Sequence, residues 1–379
     1  MLNTTQLDKL TTIRKMIHAN PEISEHEFET QKRIVEFLTS STKANIKPFG
    51  NTGVLAVFES EIAGPTVMIR GDIDALPIEE INTFDHKSTQ KGVSHKCGHD
   101  GHTTILLGLA QLLSQQPIKT GKVILLFQPA EENGMGAAAV LSDTEFNKHK
   151  IDYVFALHNL PGYPMHQIVV KENEFTGNVK SIILKMTGKT AHAAEPEQGL
   201  NPSLAIAELF AFADNITHNK PEEKDFFLMT PVYATLGDLA YGISAGYGET
   251  HFTIRSWSTD LMAERTKKIV TFIENVCKKY QLSPNISYTQ VFHANINNPQ
   301  AVDVIRRASL TNNLTLIERD YPFRWGEDFG LFTQKYKGAM FGVGAGINTP
   351  ALHNPDYDFP DEITPTAISM FYQIISLIL

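Results

Sequence analysis

KVILLFQPAEE, residues 122–132, contains the pattern that decides the fold. The five residues from Val123 to Phe127 are all apolar, which is typical of a strand in a sheet that is covered on both faces. The apolar run stops before Pro129, and Glu131 and Glu132 follow directly. Polar residues at the end of a buried strand are typical of ligand sites in open α/β sheets. The segment therefore predicts a central strand whose carboxyl end carries the chemistry.

Further apolar strands and helices alternate on both sides of this segment. Strands are predicted at 53–59, 66–73 and 153–157, and a helix is predicted at about 101–115. Another helix is predicted from Ser24 to Leu38, with Ser24 as its N-cap. Because buried strands separated by helices are typical of parallel sheets, the pattern predicts a mostly parallel α/β domain.

The middle of the chain has a different order of predicted elements. Between about residues 179 and 292 the order is strand, helix, strand, strand, helix, strand. This β-α-β-β-α-β order is typical of a ferredoxin-like unit. We therefore predict a catalytic metal-binding domain of residues 1–176 and 295–379, with a lid and dimerisation domain of residues 177–294 inserted into it.

The composition is that of a globular protein with an acidic surface. The chain has 379 residues, 42% of them hydrophobic and 20% charged, and a net charge of −9. No basic cluster offsets that charge, so neither nucleic acid nor a membrane surface is expected as a partner. No apolar run reaches the roughly 18 residues of a membrane span, and the first 15 residues lack a signal-peptide core. Two cysteines make no disulfide framework, so a cytoplasmic location is predicted.

The motif HKCGHDGH, residues 95–102, is the strongest local signal for metal binding. Cys97 and His99 are two residues apart, so in an extended loop they point the same way and can reach one metal centre. Thiolate and imidazole suit zinc and other first-row ions. The alternative is a loop with surface histidines and an ordinary thiol. Three histidines and a cysteine within eight residues argue against that alternative.

Glu131 and Glu132 can divide two tasks between them. Because adjacent carboxylates point in different directions, one can bind a metal while its neighbour holds water as a general base. The alternative is the acidic first turn of a helix, which the same residues would suit.

Two more histidines extend this set of metal-ligand candidates. His158 ends another apolar strand, and His353 follows a glycine-rich loop near the C-terminus. Taken alone, each is more typical of a structural residue than of a ligand. Together with Cys97, His99 and a glutamate they would complete a dinuclear site with an open position for a bridging water.

Asp72 and Asp74 lie at the end of the strand predicted at 66–73. Carboxylates at such a position can orient a histidine ligand through a hydrogen bond. The alternative is that they form the turn before Pro77.

An ordered series of motifs resembles the bacterial amidohydrolase branch of the aminoacylase and dinuclear-metal carboxypeptidase family. That branch includes hippurate hydrolases, N-acetyldiaminopimelate deacetylases and plant auxin–amino acid conjugate hydrolases. The resemblance runs nearly end to end, through 71–77 (GDIDALP), 95–102, 128–132, 156–161 (ALHNLP), 191–194 (AHAA), 326–329 (GEDF) and 352–355 (LHNP).

The resemblance implies a metal-dependent amidohydrolase that cleaves the amide bond of small N-acyl amino acids. Two divalent ions are implied, zinc or manganese in the first place, although cobalt and nickel also suit the ligands. Glu131 matches the family's general base, which deprotonates the metal-bound water and passes the proton to the leaving amine. The implied metal ligands are Cys97, His99, Glu132, His158 and His353.

Two further residues are implied in the inserted domain, His192 as a catalytic and substrate-binding residue and Arg255 as a substrate-binding residue. His192 matches a histidine that reaches the partner subunit's site in dimeric relatives, so the resemblance implies a homodimer through the lid. A polar turn after a strand is the alternative for His192. Arg255 matches an arginine at the end of a lid strand.

The lid also departs from the family's pattern. Glu197 stands where relatives usually carry a second histidine, and Tyr241-Gly242 falls in a segment where relatives often have Asn-Val-Ile-Pro. These departures put the usual recognition of a substrate carboxylate in doubt, but they leave the implied ligands intact.

Two other functions remain open at this point. Cys97 could be a nucleophile with His99 or His102 as its base, but Glu131 and the remaining ligand candidates would then have no role. A non-catalytic protein that binds a metal or ligand is the second alternative. The complete ligand set and the presence of Glu131 argue against it.

Overall fold

The computed structural model describes residues 2–379 and divides the chain into two compact units. The larger unit contains the chain up to Phe175, together with Asn295–Asp320 and Glu327–Leu379. The smaller unit contains Thr176–Ala294 and also Tyr321–Gly326. That last segment falls in the range that the sequence prediction assigned to the catalytic domain, but it packs with the smaller unit.

The helices and strands follow the alternation expected from the sequence. The α-helices are α1 (Thr4–Ala19), α2 (Phe28–Ser41), α3 (His99–Gln115), α4 (Gly136–Ser142), α5 (Ser203–Ile216), α6 (Thr259–Lys279), α7 (Pro299–Thr311), α8 (Gly330–Lys335) and α9 (Thr364–Ile378). The strands are β1 (Asn45–Phe49), β2 (Gly53–Glu59), β3 (Thr66–Asp72), β4 (Lys122–Gln128), β5 (Tyr153–Leu160), β6 (Ile168–Val170), β7 (Asn173–Glu174), β8 (Asn178–Thr187), β9 (Ala191–His192), β10 (Phe227–Leu236), β11 (Ile243–Ser244), β12 (Tyr247–Ser256), β13 (Ser283–Phe292), β14 (Ile296–Asn297), β15 (Leu316–Glu318) and β16 (Lys337–Gly344). Within residues 2–379 no helix is both long and apolar enough to cross a membrane.

The larger unit is built on an eight-stranded mixed sheet in the order β1-β2-β4-β3-β5-β16-β6-β15. Its four central strands, from β4 to β16, pair in parallel. The register places Asp72 opposite Gln128 and His158 opposite Gly342. The carboxyl ends of these strands therefore meet at one edge of the sheet.

Helix α3 anchors that edge to the hydrophobic core. Its residues from His99 to Leu113 are all buried, and it contacts α1, α9 and β3. Packing is close enough that a Cβ at Gly108 would come within 2.3 Å of the side chain of Ile368. An apolar helix of this kind is stable only when it is surrounded. The helix therefore holds its N-terminus, where the ligand candidate His99 lies, in a fixed place.

The smaller unit has an antiparallel four-stranded sheet in the order β10-β12-β8-β13. Helices α5 and α6 pack on one face of it, and their contacts form a separate core that includes Ile182, Leu184, Phe252, Ile254, Leu209, Ile269 and Ile273. With β8, α5, β10, β12, α6 and β13 in chain order, this is the predicted β-α-β-β-α-β unit. The predicted fold class is confirmed.

The predicted cap of the second helix is wrong. Helix α2 begins at Phe28, four residues later than expected, with Glu27 at its N-cap position. The hydroxyl of Ser24 instead donates a hydrogen bond of 2.7 Å to Asp74 Oδ2. The Ser24 hydroxyl therefore binds a residue that is distant in the sequence instead of capping the helix next to it.

Candidate metal centre

The carboxyl ends of neighbouring parallel strands bring together side chains that are far apart in the sequence. Asp72 is the last residue of β3, and Glu131 and Glu132 follow β4 after a two-residue turn. His158 lies near the end of β5. His353 belongs to the loop that follows β16. All of these residues belong to the larger unit.

The five predicted ligands form two groups that share Cys97. In one group the ligand atoms of Cys97, His99 and His158 lie within 4.8 Å of one another, and in the other those of Cys97, Glu132 and His353 do. The Sγ atom of Cys97 is 3.5 Å from His158 Nε2. Glu132 lies 3.8 Å from His99 Nε2 through Oε1 and 3.8 Å from His353 Nε2 through Oε2. Two adjacent groups with a common sulfur atom could hold two metal ions.

Backbone conformation sets the direction of these ligands. Gly98 separates Cys97 from His99 and has φ +94°, a left-handed conformation that favours glycine. A Cβ there would lie 2.8 Å from the Asn159 side chain, so the loop has no space for a larger residue. His353 is also left-handed, at φ 66°, and its N–H donates 2.7 Å to Lys96 O. The two ligand loops are thus joined to each other.

The donor atoms fit divalent first-row metal ions. His99 Nε2 and Glu132 Oε1 are buried and have no hydrogen-bond partner among residues 2–379. Buried polar atoms are nearly always paired, so two facing ligand atoms without a hydrogen-bond partner in the protein point to a bound cation. Sulfur, nitrogen and carboxylate oxygen together match the preferences of zinc and its neighbours.

Asp74 orients the His99 ring. His99 Nδ1–H donates 2.9 Å to the backbone oxygen of Asp74 and lies 3.3 Å from its Oδ1, which leaves Nε2 facing the other ligands. Burial opposes the charged form of His99. The carboxylates of Asp72 and Asp74 outweigh that effect and raise the His99 pKa to about 10. Hydrogen bonds of this kind set the direction and basicity of histidine ligands.

His102 belongs to the site, although the sequence prediction did not include it among the ligands or orienting residues. Its Nδ1–H donates 2.5 Å to Asp72 Oδ1, and its Nε2 lies 2.6 Å from Asn159 Oδ1. Its ligand atom also falls within 4.8 Å of those of Asp72 and His99. The position three residues after His99, on the same face of α3, was the signal that could have identified it.

A buried arginine holds the carboxylates behind the site, and the sequence prediction missed this residue too. Arg70 donates 2.5 Å to Asp72, 3.0 Å to Glu327 and 2.8 Å to Asp328. Gln128 Nε2 also donates to both oxygens of Asp328, at 2.9 and 2.8 Å. A charged residue directly after the apolar run 67–69, inside a predicted buried strand, was the available signal, because a charged residue is rarely buried unless it is paired.

The carboxylates at the site lie close enough to raise one another's proton affinity. Burial, followed by Glu327 and Glu132, raises the pKa of Glu131 well above its usual range. Burial raises the pKa of Glu132 to about 8, against the opposing effect of His99. Burial and the two glutamates also raise the pKa of the Cys97 thiol. Bound cations would favour the charged forms of all these groups.

The remaining predicted residues belong to the smaller unit. His192 is exposed on the short strand β9, and its Nδ1 accepts 3.1 Å from the N–H of Ala194. Arg255 is half-buried near the end of β12 and donates 2.6 Å to Arg324 O. Glu197 is exposed, and Tyr241 is 93% exposed.

Comparison with known proteins supplies the family. Residues 68–377 match the model of peptidase family M20/M25/M40. The chain belongs to this family. It is 32% identical over 377 residues to N-acetyl-L-cysteine deacetylase of Bacillus subtilis, covering 98% of this chain and 89% of that protein. It is 28% identical to hippurate hydrolase of Campylobacter jejuni, covering 96% of this chain and 94% of the other.

A solved structure agrees with these sequence matches. A dinuclear metal-binding peptidase of the M20 family from Bacillus subtilis superimposes with a TM-score of 0.83 and 25% identity, covering 100% of this chain and 99% of that one. Family membership confirms the resemblance and the predicted enzyme class, a metal-dependent hydrolase of amide C–N bonds.

Proposed function

We propose that this enzyme hydrolyses the amide bond of small N-acyl amino acids with the help of two divalent metal ions. The observation that carries the proposal is the pair of ligand groups that share Cys97, with Glu131 beside them in a third group formed with His99 and Glu132. The names of the relatives support the substrate class, since one is a deacetylase of an N-acetyl amino acid and another is a hippurate hydrolase.

In this proposal Cys97, His99, Glu132, His158 and His353 hold the two ions. Zinc or manganese is the expected metal, and cobalt or nickel would suit the same ligands. When bound, such ions supply Lewis-acid polarisation of the amide carbonyl and activation of water. The chain's own part is to fix the ligand directions, through the Asp74–His99 and Arg70–Asp72 contacts.

Glu131 is the proposed general base. Its carboxylate takes a proton from the attacking water and returns it to the nitrogen of the departing amino acid. The side chain is buried beside Glu132 and Glu327, and this environment raises its proton affinity above that of an exposed glutamate. A buried carboxylate beside the attacking water can accept the first proton and hold it until the amine leaves.

The proposed substrate contacts beyond the metals are His192 and Arg255. Arg255 would pair with the carboxylate of the amino acid, because a guanidinium matches the geometry of a carboxylate. Since Glu197 and Tyr241 alter the lid's usual pattern, the preferred amino acid of this enzyme is expected to differ from that of its relatives. The cytoplasmic location stays a prediction from the sequence.

A homodimer through the smaller unit is part of the proposal. Large apolar side chains are exposed on that unit, and a second copy of the chain would remove them from water. They include Leu239, at 90% exposure, together with Val232, Tyr233, Tyr241 and Ile243.

A thiol-hydrolase function has less support. A nucleophilic cysteine needs a lowered pKa, whereas burial and the neighbouring carboxylates raise that of Cys97. Cys97 also lies in both ligand groups, which gives it a role as a shared ligand.

The test is a hydrolysis assay with N-acetyl, N-benzoyl and N-succinyl amino acids in the presence of zinc, manganese or cobalt. We expect release of free amino acid that a chelator abolishes and that falls about 10³-fold in Glu131→Ala. The matched control is Glu145→Ala, which removes a partly exposed glutamate that pairs with Lys148. Activity that survives metal removal would contradict the proposal. Two bound ions with no hydrolysis of any substrate would favour the non-catalytic alternative.

A further inference from the structure

The segment Glu22–Glu27, between α1 and α2, contacts the strand ends that form the metal centre. It precedes the residues matched by the family model, which begin at residue 68. Its backbone pairs with that of Ala75, whose N–H donates 2.8 Å to Glu22 O. The side chains of Ser24 and Glu27 then point to different parts of the site.

Glu27 holds the backbone immediately before Glu131. Its Oε1 accepts 2.8 Å from the N–H of Ala130, and its Oε2 accepts 2.7 Å from the Thr52 hydroxyl. Ala130 has φ 57°, a left-handed conformation that is unfavourable for alanine. Glu27 is completely buried. A fixed acceptor in the interior thus opposes the tendency of Ala130 to leave this conformation.

A second carboxylate holds the backbone immediately after Glu131. The N–H of Glu132 donates 3.0 Å to Asp74 Oδ2, and the same oxygen accepts 2.7 Å from Ser24 Oγ. The N–H groups of the residues before and after Glu131 are therefore both bound by carboxylates. The segment Glu22–Glu27 supplies one of these carboxylates, that of Glu27, and contacts the other, that of Asp74, through Ser24.

We infer that Glu27 is a positioning residue for the Glu131–Glu132 pair, through its hydrogen bond to the left-handed Ala130. The inference rests on the proposed function, in which Glu132 is a metal ligand and Glu131 the base. Without the Glu27 acceptor, the peptide between Pro129 and Ala130 would be free to rotate. Rotation there would turn both glutamates away from their present directions.

The experiment compares Glu27→Ala with Glu22→Ala in the full-length protein. Glu22 is a matched control because its carboxylate also accepts from two backbone amides, those of Glu29 and Thr30 at the start of α2. Its contact with Ala75 is made by the backbone oxygen, which the substitution leaves in place. Zinc affinity is measured by competition with a chromogenic chelator, and kcat and KM are measured on the best N-acyl amino acid.

We expect Glu27→Ala to weaken zinc binding at least tenfold and to lower kcat at least tenfold with little change in KM. Glu22→Ala should stay within twofold of the wild type in zinc affinity and kcat. Glu27→Gln should retain most of both, because its amide oxygen can still accept from Ala130. The double variant Glu27→Ala/Ala130→Gly should recover part of the loss, since glycine adopts a left-handed conformation without strain.

Equal zinc affinity and kcat in Glu27→Ala and Glu22→Ala would overturn the inference while leaving the proposed function intact. A wild type that binds none of zinc, manganese, cobalt and nickel would overturn both. If Glu27→Ala does not fold, Glu27→Asp takes its place, because a side chain one methylene shorter cannot reach Ala130 and Thr52 together. Wild-type zinc affinity in that variant would also overturn the inference.

Discussion

Polar side chains lie at the strand ends of the larger unit and also on one face of the small sheet, the face that points away from its helices. The two regions differ in how these side chains are held. At the strand ends, Arg70 and Asp72 are fully buried and each has several partners. On the small sheet, Glu249 bonds to Tyr247 and His251 at 2.6 and 2.7 Å, and these side chains are partly or largely open to solvent.

The difference indicates where each region can change. A buried network of charges loses much of its stability when one member is removed, because the others remain unpaired in the interior. Exposed pairs contribute little and can be replaced. Of the predicted metal ligands, Cys97, His99 and His158 are buried, Glu132 is partly buried and His353 is exposed. The departures at Glu197 and Tyr241 are both exposed, outside the α-helices and strands of the smaller unit. We expect chemistry to be constrained in the first region and substrate choice to vary in the second.

The largest expected effect is that of Arg70→Met. Removal of the guanidinium leaves Asp72, Glu327 and Asp328 buried without their common partner. We expect a loss of about 3–5 kcal/mol in the free energy of unfolding, measured by urea denaturation. The matched change in the smaller unit is Lys279→Met, which breaks an exposed pair with Glu208. Comparable losses of unfolding free energy in the two variants would contradict the difference between the buried and the exposed region.

A pH effect of similar size is expected at His18 in the larger unit. Burial opposes its charged form, but hydrogen bonds to Asp100 and Glu80 outweigh that effect and raise its pKa to about 9. A pKa raised above the unfolded value near 6.5 gives stability that is present below that pH and is lost as the pH rises through about 9. We expect unfolding free energies at pH 6 and pH 9.5 to differ by roughly 3 kcal/mol more in the wild type than in His18→Gln. Identical pH dependence in both proteins would rule out this contribution.

A smaller effect is expected for Arg255→Ala in the lid. If Arg255 pairs with a substrate carboxylate in both ground and transition states, KM should rise about 30-fold with kcat unchanged, or about 2 kcal/mol. Arg265→Ala, on α6 of the same unit, is the control. An unchanged KM would mean that the departures in the lid have moved carboxylate recognition elsewhere.

The smallest effect on folding is expected for the double variant Leu239→Ser/Tyr241→Ser. Both side chains are almost fully exposed, so the stability of the chain itself should change by less than about 0.5 kcal/mol. The proposed homodimer should nevertheless dissociate more easily, as measured by analytical ultracentrifugation. A dimer of unchanged affinity would place the interface on another surface.

Much of the fold was predictable because the burial of a strand or helix leaves a periodic pattern in its own residues. Strand β4 spans Lys122–Gln128, as predicted, and the order of elements in the smaller unit was read correctly from strand and helix patterns. The start of α2 was not predicted correctly. Ser24 has the chemistry of an N-cap, but its hydroxyl binds Asp74, which is 50 residues away in the sequence.

The ligand candidates were predictable for a different reason. The strand ends and the motif at 95–102 place unusual residue types at positions where chemistry is expected, and the structure brings all five into adjacent groups. Their roles as ligands stay a prediction. Arg70, His102 and Glu27 were missed, since the residues next to them in the chain do not indicate which partners they contact.

The sequence by itself determined the principal strands and helices, the two-part architecture and the family of hydrolases, because these depend on local periodicity and on motifs of a few residues. Only the tertiary structure decided which buried charges meet. Arg70 reaches Glu327 and Asp328, and Glu27 reaches Ala130, across separations of 257, 258 and 103 residues. A buried charge is stable only beside a specific partner, and the packing of the sheet selects that partner.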